Sequence, residues 1–251
     1  MIIYDFEVFA HDWLGVFADM TAKEEHVIVN SKDELQALYD AHKDDIWVGF
    51  NSRHYDQYVL KAILLDMDPK KLNDFIIVEN KDGWQFSSLF RQIPLINFDV
   101  MPNPPIGLKT LEGFMGSDIE ETSVPFDINR KLNQQEIDLT VFYCRHDVEE
   151  TAKVFIQRKA EFDAQFGIVK AFNLPLKCVG DTEARITSKV LQCRKQNWTD
   201  EFEYYFLPCL RLKKYKYVQD WFENAYEDCK REMNQKYTED PISKYDFDDE
   251  F

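Results

Sequence analysis

Residues 2–9 read IIYDFEVF, an apolar run interrupted at alternate positions by Asp5 and Glu7. Side chains two apart on a strand leave the same face, so the two acids would stand together while Phe6 and Val8 point into a core. Two carboxylates on one face repel each other and are costly to keep charged unless a cation sits between them. An acidic solvent face on an edge strand is the plainer explanation, and 46 Asp and Glu in 251 residues make a D-x-E triplet common. The rest of the chain therefore has to decide what this strand is for.

Apolar or alternating stretches at 13–19 and 24–29 extend the first strand into a three-strand meander. Ser31 then caps a helical stretch, SKDELQALYDAH, with Glu34 in capping-box spacing. IWVGF (46–50) predicts a short strand leading into a helix over about 54–65, with Tyr58, Val59, Ala62, Ile63 and Leu65 on or near its buried face. Residues 66–93 are less regular and read as an insertion between core elements. PLINFDV (94–100) is the next strand, MPNPPIG a proline-rich turn, and GLKTLEGFMG a helix. From Asn133 a long amphipathic helix is expected to about residue 164. The order β-β-β-α-β-α-β-α predicts an α/β fold, a mixed β-sheet flanked by helices on both faces, which resembles the ribonuclease H-like arrangement.

Beyond Gly167 the character changes. A helix near 181–195 and the basic, aromatic stretch LRLKKYKYVQDWF (210–222) lead into another helix to about 236. Three regions are expected: a domain over 1–166, a C-terminal helical extension over 167–237, and a disordered acidic tail over 238–251. In the basic stretch, cations at Arg211, Lys213, Lys214 and Lys216 interleave with Tyr215, Tyr217 and Trp221. That mixture suits single-strand backbone contact with base stacking, or a plain amphipathic segment with snorkelling lysines.

Composition bounds the function. A hydrophobic content of 45% with 20 Phe, 12 Tyr and 5 Trp belongs to a globular chain. The five cysteines are odd in number, widely spaced and form no CxxC, which points to reduced thiols in a cytoplasmic setting rather than a disulfide framework or zinc site. No apolar run approaches a membrane span, and no signal-peptide pattern opens the chain. The net charge of −16 is unusual for a protein that handles nucleic acid and predicts weak, non-processive binding unless a partner supplies basic surface.

Two further acids complete a set with Asp5 and Glu7. Asp56, in NSRHYD, lies where a strand gives way to a helix, with Asn51 placed to tie the turn and Tyr55 to pack beneath. It could equally be a first-turn acid answering the helix dipole. Tyr143 and Asp147 are four apart on a helix and share a face that Thr151 and Val154 extend as a packed stripe. An Asp on a packed face is costly unless paired or bound to metal. Four carboxylates are a ligand set for two hard divalent cations, which suits phosphodiester cleavage.

In this order and on these elements, the motifs resemble those of the 3′–5′ exonucleases of the DnaQ-like superfamily, in the DEDD group with the tyrosine variant. That is the type built into family B and many bacteriophage DNA polymerases as a proofreading domain. The D-x-E motif matches Asp5 and Glu7; Asn, aromatic, Asp matches Asn51, Tyr55 and Asp56; Y-x3-D matches Tyr143 and Asp147. The histidine variant would put His at position 142, which is Phe, so His146 is set outside the catalytic set, on the surface or in the surroundings of the site. INFDVM and GLKTLEGFMG also resemble the linking strand and helix, and the likeness spans about residues 2–160.

The resemblance implies a metal-dependent 3′–5′ exodeoxyribonuclease acting on single-stranded DNA 3′ ends, with two divalent cations, Mg²⁺ or Mn²⁺. It implies that Asp5 bridges both ions, that Glu7 and Asp147 complete the site of the ion that activates water, that Asp56 supports the second ion, and that Tyr143 orients the water. Phe9, Asn51 and Tyr55 would be contacts to the substrate's frayed 3′ end. It further implies a DNA polymerase partner, or a polymerase domain missing from this sequence. An exoribonuclease, a general single-strand nuclease, and a catalytically silent module that binds a polymerase or a 3′ end stay open as alternatives. The acidic end Asp246–Phe251 loosely resembles the Phe-terminated tails of single-stranded DNA-binding proteins, or is simply a solvated end.

Overall fold

The computed structural model describes residues 1–118, 123–193, 211–222 and 224. Five strands form one sheet in the order β3-β2-β1-β4-β5: β1 Ile2–Val8, β2 Trp13–Asp19, β3 Glu24–Val29, β4 Ile46–Gly49 and β5 Ile96–Asp99. β1, β2 and β3 pair antiparallel, and β4 and β5 continue parallel to β1. The sheet is thus mixed, as the order of apolar runs predicts.

β1 is central, and its alternation sorts two cores. Ile2, Tyr4, Phe6 and Val8 pack with Leu35, Leu38 and Tyr39 of α1 (Lys32–His42) and Val59, Leu60 and Ile63 of α2 (Asp56–Leu64). On the other face Ile3, Leu14, Val16 and Val48 pack with Cys144 and Val148 of α5 (Gln134–Gln157), and with Leu108 and Leu111 of α4 (Leu108–Met115). Helices therefore cover both faces. Asp5 and Glu7 belong by period to the Ile3 face, under α5, where a solvent-facing edge strand would have left them in water.

What keeps them from being sealed in is the course of β4. It pairs with β1 only through Ile2–Trp47 and Ile3–Val48, so from Asp5 onward β1 has no partner on that side. The parting opens a crevice at the carboxyl ends of parallel strands, the usual location of sites in open α/β sheets. Gly49 ends β4 because the chain must turn tightly there: an added Cβ would meet the Ser52 Cβ at 2.6 Å.

Several expected boundaries shift. The long helix ends at Gln157 and a separate α6, Lys159–Ala171, follows Arg158, so no continuous helix reaches residue 164. Arg158 closes α5 and its guanidinium binds Val100 O and Glu161. The first compact unit then extends past residue 166 to Gln192, through a 3-10 turn at Leu176–Gly180 and α7, Glu183–Val190. The insertion 66–93 is ordered into α3 (Pro69–Asn73), a π-helical turn (Asp74–Val78) and two 3-10 turns. Residues Cys193–Phe251 form a second unit, of which 216–222 are helical, with Tyr215 and Tyr217 exposed. The helix expected to about 236 and the acidic tail lie outside the described residues. Among the described residues no helix is long and apolar enough to cross a membrane.

Candidate metal centre

β1 delivers Asp5 and Glu7 to the crevice, and α5 crosses that face to bring Asp147 against them. One carboxylate oxygen from each of the three lies within 4.8 Å of the others. The long helix can cross so close because its inner face is Thr140, Cys144, Val148 and Thr151, all small or β-branched and all buried. The asparagine cap with Glu136 in a complete capping box fixes where that helix starts, and hence which turn meets β1.

Asp56 enters from the turn after β4. Asn51 adopts a left-handed conformation (φ 56°), which asparagine tolerates better than most residues. Asp99, at the end of β5, locks this turn: it accepts hydrogen bonds from the backbone N–H of Asn51, Arg53 and Met101 at 2.9–3.0 Å. The result places Asp56 at the first position of α2, 3% exposed, with Oδ1 buried and without a hydrogen-bond partner among the described residues.

These acids are crowded and short of compensation. Burial, then the Asp147 charge, pushes the Asp5 carboxyl up to about 7. Glu7 is raised well above the ordinary range by burial and then by Asp5, and Asp56 likewise. Among the described residues, the Cys144 thiol, which donates to Asp5 Oδ2 at 3.5 Å, makes the one side-chain hydrogen bond that relieves Asp5. An all-oxygen donor set with a buried orphan oxygen and raised carboxyls fits a hard divalent cation, because binding one would remove both the repulsion and the unmet hydrogen-bonding demand.

A cation of the protein itself already touches the cluster. Lys109 of α4 donates to Asp147 Oδ1 at 2.5 Å and lies 3.2 Å from Glu112 Oε1. Burial alone would lower its pKa; the two carboxylates outweigh that and raise it. Glu112 is fully buried, and its Oε2 is 3.7 Å from His146 Nε2. His146 is therefore a largely buried neighbour of the site, not a surface residue.

The cavity over the carboxylates is about 470 Å³ and is lined by Asp5, Glu7, Asp56 and Asp147 together with Asn51, Tyr55, Lys70, Asn73, Ile77 and Phe126. Asn51 and Tyr55 thus both line the cavity. Phe9 does not line the cavity: it is 1% exposed, in a small core with Val124 and Leu132, beneath the ring of Phe126. Tyr143 is one helical turn before Asp147, half-buried and edge-on to Phe142, outside the cavity lining. Lys109, Lys70, Asn73, Ile77 and Phe126 were not indicated by the sequence. Each is an ordinary residue in its local pattern, and the insertion's return over the site is invisible in its irregular periodicity. Searches against family models, curated proteins and solved structures find no match for this chain.

Proposed function

We propose that the chain is a metal-dependent nuclease. More particularly, it is a 3′–5′ exodeoxyribonuclease of the DnaQ-like, tyrosine-variant type on a ribonuclease H-like sheet. It removes nucleotides from single-stranded or frayed 3′ ends and proofreads with a DNA polymerase in the cytoplasm. The observation that carries the reading is the convergence of Asp5, Glu7 and Asp147 within 4.8 Å, from a strand and a helix 140 positions apart, beside the orphaned Asp56 oxygen.

Asp5, Glu7 and Asp147 would hold one Mg²⁺ or Mn²⁺, with Asp5 shared and Asp56 supporting a second. Bound there, the two ions supply charge neutralisation at the scissile phosphate and acidify a water. The protein's share is positioning. Lys109 keeps Asp147 aimed at β1 and offsets part of the acidic field until cations arrive. Tyr55 is fixed by its hydroxyl donating to Asn73 Oδ1 at 2.7 Å, and walls the cavity where a terminal nucleotide would enter. Tyr143 is the candidate for orienting water; its side chain would have to turn toward Asp147 to do so.

The test is degradation of a 5′-labelled single-stranded DNA in Mg²⁺, Mn²⁺ or EDTA, with Asp5→Ala as control. A metal-dependent ladder shortening from the 3′ end, absent in the variant, is expected. An unshortened substrate with folded protein and cation would overturn the assignment, and a ladder only from RNA would replace DNA by RNA as substrate.

A further inference from the structure

We propose that the outer edge of β3, together with the acidic groove between β3 and α1, accepts an extended basic segment of a partner protein as a further strand of the sheet. The inference is independent of the nuclease reading, since none of its residues belongs to the metal centre.

The two edges of the sheet are finished differently. Along β5 the 3-10 turn Leu176–Gly180 lies so close that a Cβ added at Gly180 would stand 1.9 Å from Asn97 O. At the opposite edge, β3 pairs among the described residues with β2 alone. Asn30 N donates to Trp13 O across the hairpin, so alternation along the ladder commits the backbone groups of Ile28, His26 and Glu24 to β2. The backbone N–H and C=O groups of Glu25, Val27 and Val29 therefore face outward. Sheet edges are ordinarily blunted by lysine, proline or a bulge, and β3 carries none of these. Such an edge pairs with a further extended segment, whose affinity comes from main-chain hydrogen bonds.

Charge decides which segment fits. The groove beside this edge has a volume of about 560 Å³; Asp19, Glu24, Glu25 and Glu34 line it, and no described lysine or arginine does. Asp19 accepts from Thr21 N and Glu25 is held by Arg145. Glu24 and Glu34 are exposed and form no ion pair among the described residues. Beside them α1 presents Ala37 and Ala41, one turn apart and both exposed, next to the buried Ile28 and Leu38. Small side chains there leave room for the stems of long ones, which lie on apolar surface while their charged ends reach the carboxylates. A strand added to β3 sends alternate side chains to this face. The segment that fits therefore alternates lysine or arginine with apolar residues. A second copy of this chain does not meet that requirement: its own edge strand opens with Glu24 and Glu25, and each copy carries a net charge of −16.

The probe is a short peptide alternating lysine with valine, titrated onto the full chain by calorimetry. A fully N-methylated version keeps its charge but loses its main-chain donors, and a glutamate–valine version reverses its charge. Saturable binding is expected for the lysine–valine peptide alone. Replacing Glu24→Lys together with Glu34→Lys should weaken it by on the order of 10-fold. N-methylation should weaken it by on the order of 10- to 100-fold, because the bonds to Glu25, Val27 and Val29 are lost. Val27→Pro removes an outward N–H without touching the ladder to β2, and should weaken binding in the same way with the fold retained in circular dichroism. If that variant does not fold, the N-methylated peptide makes the same distinction on the wild-type chain. Equal binding of the parent and N-methylated peptides would reduce the site to general attraction toward an acidic surface, and would overturn the proposal. So would the absence of binding, or a dimer of the chain in sedimentation that Val27→Pro abolishes.

Discussion

Two groups of carboxylates in this molecule are shielded from water to similar degrees and are treated in opposite ways. Asp12, Asp19 and Asp99 sit at strand ends and turns, and each is supplied with donors. Asp12 accepts from Asn30 Nδ2 and Leu132 N, Asp19 from Thr21 N, and Asp99 from three backbone amides. For Asp19, burial would raise the carboxyl, but the amides of Thr21 and Ala22 and the N-terminal ammonium win and lower it. Asp5, Glu7 and Asp56 are crowded together instead and raised, with a buried oxygen of Asp56 left unpaired. The first group uses its charge to fix loops. The second stores an electrostatic demand that a cation can satisfy, and that difference separates structural acids from candidate ligands more sharply than burial or residue type.

The comparison breaks most visibly at the ligands. Asp5→Ala and Asp147→Ala should each reduce cleavage by on the order of 1,000-fold or more, with the fold retained in circular dichroism; normal turnover in either would remove the carboxylate from the metal assignment. Asp99→Ala should do the reverse kind of damage. Three amides lose their acceptor, so stability in urea should fall by about 2–4 kcal/mol. Activity should fall with it, because the turn carrying Asn51 and Asp56 loosens. An unchanged midpoint would mean that water replaces Asp99 without cost.

A third measurement sharpens the contrast through pH. Asp5 is raised from 3.8 to about 7, so the native state binds more protons than the unfolded state between those values. Its contribution therefore becomes unfavourable as pH rises, and the penalty is complete above about 7. Asp5→Asn should stabilise the cation-free protein by on the order of 1–3 kcal/mol at pH 8, and by much less at pH 5. Mn²⁺ should stabilise wild type more than the variant. Equal effects at both pH values would show that Asp5 is not under strain. The smallest effect is expected from Tyr143→Phe, a rate reduction of roughly 10-fold with Mn²⁺ affinity near that of wild type; lost cation binding would instead place the tyrosine in the metal site.

Much of this contrast was legible in the chain. The period of two in IIYDFEVF put Asp5 and Glu7 on one face and Phe6 and Val8 on the other, and β1 keeps that division. Four-residue spacing put Tyr143 and Asp147 on one helix, though only Asp147 reaches the cavity. Asn51 was expected to tie the turn and does so through its backbone, with Asp99 as the unanticipated partner. The error over the long helix has a local cause: nothing in the apolar periodicity marks the break at Arg158, which follows from that residue's bonds to Val100 and Glu161. Phe9 was placed on the substrate side by the family resemblance, whereas it lies in a small core as the ring on which Phe126 rests.

By itself, then, the sequence determined which residues could act as ligands and which face of each element they share, because strand and helix periods are local properties of the backbone. It also determined that the sheet is mixed, since meander and crossover spacings allow little else. Only the tertiary structure decided that β4 leaves β1 after Ile3 and opens the crevice there. It also decided that Lys109 closes on Asp147 from another helix, and that the insertion returns with Asn73 and Ile77 to wall the site. Those facts depend on packing between residues 45 (Ile3 and Val48), 38 (Lys109 and Asp147) and 18 (Tyr55 and Asn73) positions apart, and no local period records such distances.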